Sequence, residues 1–224
     1  MKSMNEAHLA VLRRHMAELV AVQFDLVGEE IGKDAPGARV MAALLDVPRH
    51  RFVPPELAPF AYHDTPLPIG FDKTISQPFV AALMIDLLDP GPHETVLEVG
   101  TGLGYQAALM AELAAQVWSV EVVEEFAAEA RARFDELAIG NVGVRVGDGS
   151  RGWAEHAPFD KILVTAAAER VPRPLVDQLK AGGRLVMPVG PEGAQELTVL
   201  DRSAAGEVTA RAVIPVRFTQ LEVG

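Results

Sequence analysis

Gly100, Gly102 and Gly104 stand at alternate positions in the stretch VLEVGTGLGY, residues 96 to 105. Glycines so placed after a strand allow a tight turn and a close approach of backbone to a ligand. The spacing is G-x-G-x-G, not the G-x-G-x-x-G of dinucleotide enzymes, and alone it also fits a plain strand-to-helix turn. Two acids add to it. Glu121 follows Gly104 by 17 residues, within the run WSVEVV. There it can accept both hydroxyl hydrogens of a ribose, or act, as Glu124 and Glu125 can, as a helix N-terminal acid favoured by the dipole. Asp148 lies between Gly147 and Gly149, where it can accept from an adenine amino group or simply make an Asp-Gly turn. Together the three features favour an adenosine ligand at the carboxyl ends of neighbouring strands.

Glu98 stands just before the first glycine. A pyrophosphate prefers a helix N-terminus free of acid, whereas an acid suits a ligand with a positive amino group, as in S-adenosylmethionine. The sequence G-x-x-x-x-G-K-[ST] is absent, which disfavours nucleotide triphosphate hydrolysis. Upstream, DKTISQP (72 to 78) supplies a serine with no histidine or cysteine beside it to activate it. Ser76 is either a hydroxyl at the ligand site or a cap for the helix that Pro78 can begin.

These residues need a scaffold. Residues 4 to 30 read as a helix, with Leu9, Leu12, Met16, Leu19 and Val22 at helical spacing, and a second helix is expected over 37 to 46. Residues 48 to 72 are rich in proline and glycine and read as a shaped loop, and a helix runs from Pro78 to about Leu88. Strands then alternate with helices: strand 95 to 99, helix 104 to 115, strand 117 to 121, helix 123 to 138, strand 142 to 146 and a strand from 161. A helix near 173 to 180 is expected to stop at Gly182-Gly183, ahead of strands at 184 to 189, 195 to 201 and 207 to 216. Such alternation predicts an α/β fold whose sheet is mostly parallel, with an antiparallel edge from the closing hairpin and a helical N-terminal region.

Composition narrows the function. At 224 residues and 49% hydrophobic, the chain can bury one sizeable core, and no linker or repeat divides it. The expected layout is a single domain, 1–224, with a helical and substrate-cleft region (1–90), a cofactor-binding core (91–190) and a C-terminal hairpin (191–224). A net charge of −11 argues against nucleic acid, and the local cluster Arg49-His50-Arg51 reads as a solvated turn. Without cysteine there is no thiolate chemistry, and six scattered histidines show no metal spacing. His63, beside Asp64, is the one histidine to watch in the cleft, with a structural hydrogen bond as the plainer reading. The charged start is no signal peptide, and no apolar run reaches the roughly 18 residues of a membrane span. The expectation is a cytoplasmic protein, working as a monomer without metal.

The sequence resembles the protein-L-isoaspartate O-methyltransferase family. The resemblance is carried by VPRHRFVPPE (47 to 56), AYHDTPLPIG (61 to 70), TISQPFVAALM (74 to 84), VLEVGTGLGYQAA (96 to 108), VGDGSRGW (146 to 153), APFDKILVTAAA (157 to 168) and LKAGGRLVMPVG (179 to 190). The glycine and GDG stretches occur in many methyltransferases; TISQP after PLPIG is more specific. The resemblance implies a Rossmann-like methyltransferase fold. It implies methyl transfer from S-adenosylmethionine, leaving S-adenosylhomocysteine, to the free α-carboxylate of L-isoaspartyl residues in damaged proteins and peptides. It assigns Ser76 to the active site and Thr74 and Ile75 to the cleft between cofactor and peptide. Glu98, Gly100, Gly102 and Gly104 fall at the methionine end, Glu121 at the ribose and Asp148-Gly149 at the adenine, with Thr101, Leu103 and Val122 completing the cofactor set.

A carboxylate, with a pKa near 4, is ionised at neutral pH and needs no general base to attack a sulfonium methyl. It needs alignment, which one hydroxyl donor can supply. Leu103 stands where many relatives carry a small hydroxyl residue. Thr219-Gln220 stands where relatives often read Val-Pro, in a segment expected to grip the substrate backbone. Residues 1–39 match the family poorly. Rival readings are a methyltransferase for aspartate in one dedicated peptide, a non-catalytic adenosyl-binding module and, more distantly, a nicotinamide oxidoreductase.

Overall fold

Val96 and Leu97, neighbours on β3 (Thr95–Val99), are both buried, yet they enter two different apolar clusters. A strand whose alternate side chains are buried on both faces needs a layer on each side. The computed structural model, which describes residues 5–223, supplies both layers. Met4, the first residue of the expected N-terminal helix, lies outside the described residues. Seven strands form the main sheet in the order β5 (Val142–Val146), β4 (Gln116–Glu121), β3, β6 (Phe159–Val164), β7 (Leu179–Val189), β8 (Gln195–Arg202), β9 (Val208–Val216). Pairing is parallel from β5 to β7 and antiparallel from β7 to β9. This is the mostly parallel sheet with an antiparallel C-terminal edge that the alternating pattern predicts, and the Rossmann-like arrangement that the resemblance implies.

One cluster gathers Met16, Val20 and Phe24 of α1 (Glu6–Leu26), Leu44 of α3 (Ala38–Asp46), Leu83 of α4 (Pro78–Leu88), Leu109 of α5 (Tyr105–Ala111) and Phe134 of α6 (Glu124–Glu136) over Val96, Val117, Leu163 and Val186 of the sheet. The other packs Leu175 of α7 (Arg173–Asp177) on Leu97, Val99, Ile162, Val164 and Met187. Phe24 meets Phe79 edge to face at 5.6 Å, which seats α1 on α4. No helix among the described residues is long and apolar enough to cross a membrane.

Several sequence expectations are corrected. The N-terminal helix breaks at Val27, and a single turn, α2 (Gly28–Ile31), follows and ends at Gly32. Its buried stripe is Leu9, Met16, Val20 and Phe24, whereas Leu19 and Val22 face solvent, because the surface packed on α4 is turned away from the expected stripe. α5 stops at Ala111, since Ala115 N–H already donates to Glu94 O (3.0 Å) at the entry to β4. α7 stops at Asp177, and Gly182-Gly183 does not end it. β7 runs through the pair instead, and a Cβ at Gly183 would lie 2.9 Å from Asp160 O and 2.8 Å from Leu179 Cδ1, so the strands approach there only with glycine. The expected loop over 48 to 72 contains two 3₁₀ turns, Arg49–Phe52 and Pro55–Phe60. It also holds β1 (Leu67–Gly70), which pairs antiparallel with β2 (Lys73–Ile75).

Candidate active site

The glycine loop joins β3 to α5 at the carboxyl edge of the sheet. Gly100 has φ +92°, and a Cβ there would stand 2.3 Å from Thr165 Oγ1, so both backbone shape and space require glycine. Thr165, at the end of β6, donates to Gly100 O (2.8 Å) and holds the loop from the neighbouring strand. Glu121 ends β4 and holds it from the other side: Oε2 accepts Gly102 N–H (2.7 Å) and Oε1 accepts Val123 N–H (2.9 Å). Each carboxylate oxygen has further lone-pair capacity.

Glu98 lies under the loop rather than on a cavity wall. It is fully buried, its Oε2 accepts from Ser119 Oγ, and its Oε1 has no partner among the described residues. Ser119 gives its one proton to Glu98 and so accepts from Thr101 Oγ1 at 2.6 Å, which links the acid to the loop. Burial pushes the Glu98 carboxyl up to about 8; the Ser119 hydrogen bond opposes this and the Glu121 charge adds to it. A carboxyl whose folded pKa is raised keeps a proton that the unfolded chain releases, so stability falls as pH rises from about 4.5 to about 8. Glu98→Gln removes that titration. In thermal melts without ligand, its stability relative to the parent chain is expected to grow by on the order of 5 kcal/mol across this window. A difference independent of pH would contradict the assignment.

Ser76 stands on the wall of a cleft of about 920 Å³, beside Thr74, Ile75, Gly100, Thr101, Gly102 and Leu103. Its hydroxyl makes no hydrogen bond among the described residues. It is not the cap of α4. The helix begins after Gln77, and Asp64 caps it from a distant segment: Oδ1 accepts Phe79 N–H (3.0 Å), and Oδ2 accepts from Gln77 Nε2 (2.8 Å) and from Gln23 Nε2. His63 instead packs edge to face on Phe60. The basic cluster is not one solvated turn. Arg49 is fully buried, His50 is half-buried with its Nδ1 bonded to Tyr62 OH (2.8 Å), and Arg51 is exposed and pairs with Glu136 (2.6 Å).

A smaller cavity of about 80 Å³ continues from the cleft past Gly100 and Gly102. Glu121, Val122, Phe126 and Gly149 line it together with residues 219–222. The structure thus brings Thr74, Ile75, Ser76, Gly100, Thr101, Gly102, Leu103, Glu121, Val122 and Gly149 to one connected hollow. It does not bring three others there. Glu98 is behind the loop, Gly104 packs its backbone toward Phe134, and Asp148 turns to its own neighbours, accepting from Ser150 N–H (2.9 Å) and Oγ (2.6 Å) and from Arg151 Nε (3.1 Å). Sequence reasoning missed Ile69, Phe126, Thr165 and Gln23 as wall residues. Thr165 ends a parallel strand, the one signal that could have marked it.

The C-terminal segment lines both cavities. Thr219 O accepts Ala167 N–H (2.9 Å), and the buried Gln195 amide clamps Phe218, donating to its carbonyl (3.0 Å) and accepting its N–H (2.6 Å). Thr219 and Gln220, held in this way, line both cavities.

The exposed backbone of the glycine loop and the Glu121 carboxylate on the adjoining cavity wall fit an adenosyl ligand, whereas Glu98, buried behind the loop and bonded to Ser119, does not reach it. Among the described residues no group of three or more His, Cys, Asp or Glu could hold a metal ion. Residues 25–223 match the model of the family described as protein-L-isoaspartate(D-aspartate) O-methyltransferase (PCMT). A protein-L-isoaspartate O-methyltransferase 1 from a Polaromonas species is 50% identical over 98% of this chain and 93% of its own length. One from Anaeromyxobacter dehalogenans is 56% identical over 82% of this chain and 88% of its own. A solved protein-L-isoaspartate O-methyltransferase superposes with TM-score 0.75 at 27% identity over 89% of this chain, which spans 65% of that one. A Plasmodium falciparum structure in complex with S-adenosyl-L-homocysteine superposes with TM-score 0.77 at 23% identity, over 94% of this chain and 98% of that one, a likeness of fold.

Proposed function

Because this chain belongs to the protein-L-isoaspartate(D-aspartate) O-methyltransferase family, we propose that the cleft beside the glycine loop is its active site and that Ser76 orients the attacking carboxylate. The chain is an S-adenosylmethionine-dependent protein-L-isoaspartate O-methyltransferase, which methylates the free α-carboxylate of L-isoaspartyl residues. S-adenosylmethionine, when bound, supplies an electrophilic sulfonium methyl.

One observation carries the proposal. The Ser76 hydroxyl has no hydrogen-bond partner among the described residues, Ser76 lines the same cleft as Gly100 and Gly102, and it is relieved of helix capping by Asp64. It is free to donate to an incoming carboxylate. Thr74, Ile75 and Leu103 narrow the cleft with apolar and small groups and restrict water around that carboxylate. In the same reading, Gly100 and Gly102 offer backbone to the cofactor, Glu121 and Val122 take the ribose side, and Gly149 lies toward the adenine. Glu98 acts through the loop it supports, and Asp148 shapes the turn that presents Gly149. Residues 217–220 line the peptide side. The proposal also takes the enzyme as a cytoplasmic monomer that binds no nucleic acid; the net charge of −11 supports the last point.

Glu121→Ala tests the cofactor end. Loss of hydrogen bonds to a charged group is expected to weaken S-adenosylmethionine binding by about 1.5–3 kcal/mol in calorimetric titration. Unchanged affinity in a folded variant would remove Glu121 from the site.

A further inference from the structure

Arg49 is the largest fully buried side chain among the described residues, and no carboxylate forms an ion pair with it. Its Nε–H donates to Ala61 O (2.8 Å) and Nη2 donates to Ser76 O (2.7 Å). Its Cζ lies 4.7 Å from the centroid of the Tyr105 ring, and Nη1 has no hydrogen-bond partner among the described residues. Burying a guanidinium without an ion pair is costly, so this side chain is a poor choice for stability alone. What it does is hold three segments together. Ala61 follows the second 3₁₀ turn, Ser76 follows β2, and Tyr105 opens α5 directly after the glycine loop and lines the cleft. A planar fork can bond two carbonyls while lying over a ring; an ammonium cannot do all three.

We propose that Arg49 is a positioning residue for methyl transfer: by clamping the Ser76 carbonyl against Ala61 and Tyr105, it fixes where the Ser76 hydroxyl stands relative to the glycine loop. The inference rests on the orienting role given to Ser76 above. Arg49 touches neither cavity, so its effect on the reaction passes through the backbone of Ser76.

A double-mutant cycle on kcat, with Arg49→Lys and Ser76→Ala, tests it, with melting temperature and S-adenosylmethionine affinity measured on the same samples. Arg49→Lys is expected to lower kcat about tenfold in the parent chain and less than about twofold when Ser76 is already alanine. Cofactor affinity is expected to stay within about twofold of the parent. A costly Ser76→Ala combined with equal losses from Arg49→Lys in both backgrounds would overturn the proposal while leaving the reading of Ser76 intact. A Ser76→Ala variant with normal kcat would overturn that reading and the proposal with it. Arg49→Gln, which keeps an NH₂ donor without the charge, runs the same cycle should the lysine variant not fold. Failure of both to fold would assign Arg49 to folding and overturn the positioning role.

Discussion

Ser76→Ala is expected to cut turnover by roughly tenfold to a few hundredfold, equivalent to about 1.4–3.5 kcal/mol of barrier. The substrate carboxylate is already ionised at neutral pH, so the hydroxyl has no proton to remove. In the proposed role its contribution is one directed donor that holds the attacking oxygen in line, and alignment of this kind is worth several kcal/mol. Cofactor affinity is expected to fall much less than turnover. Ser76→Thr keeps the donor and is expected to retain more activity than Ser76→Ala unless its methyl meets the cleft wall. The stability effect is expected to be small, because Asp64 and not Ser76 caps α4. A cap would instead lower stability by about 1 kcal/mol with the rate per folded molecule nearly intact. A covalent role would leave a methylated serine visible by mass spectrometry in single-turnover samples. Steady-state rate and melting temperature on one preparation separate these outcomes, and normal turnover per folded molecule would sink the orienting role.

The glycine loop, the strand carrying Glu121 and the helix starting at Pro78 were legible because each is written in a local pattern. Apolar runs of strand length, glycines at turns and a proline at a helix start act over a few residues. The parts that were not legible depend on residues far apart in the chain. Asp64 caps a helix that begins 14 residues later, and Arg49 reaches Ser76 O across 27 positions of sequence. Neither partner can be seen from either side alone. The β1–β2 hairpin escaped for another reason. Its two-residue turn places Phe71 and Asp72 at φ +50° and +56°, where the usual hairpin signal is Asn-Gly or Asp-Gly. Asp148 shows the converse: its position in a Gly-Asp-Gly turn suggested a ligand contact, yet its carboxylate is occupied by Ser150 and Arg151, the plain turn that the sequence had also allowed. Glu98 was found as an acid beside the loop, but only alternation along β3 together with Ser119 on the neighbouring strand turns it inward.

The isoaspartyl isomer of a peptide is expected to be methylated at least about a hundredfold faster than its aspartyl isomer, since unpaired buried donors cost about 1–3 kcal/mol each. The two isomers share composition and charge and differ in which carboxyl carries the chain. In the isoaspartyl form the free carboxylate sits directly on the α-carbon, which in the proposed reading puts it within reach of both the Ser76 hydroxyl and the backbone wall at residues 217–220. In the aspartyl form the free carboxylate is displaced by a methylene, so either the carboxylate misses Ser76 or the peptide backbone misses the wall. Each miss leaves a desolvated donor without a partner. The deciding measurement is transfer of labelled methyl from S-adenosylmethionine to such a pair of peptides under identical conditions. Rapid labelling of the isoaspartyl peptide, with little or none on the aspartyl peptide, is the predicted result. Equal rates on the two isomers would contradict it and favour an enzyme for ordinary aspartate in a dedicated partner.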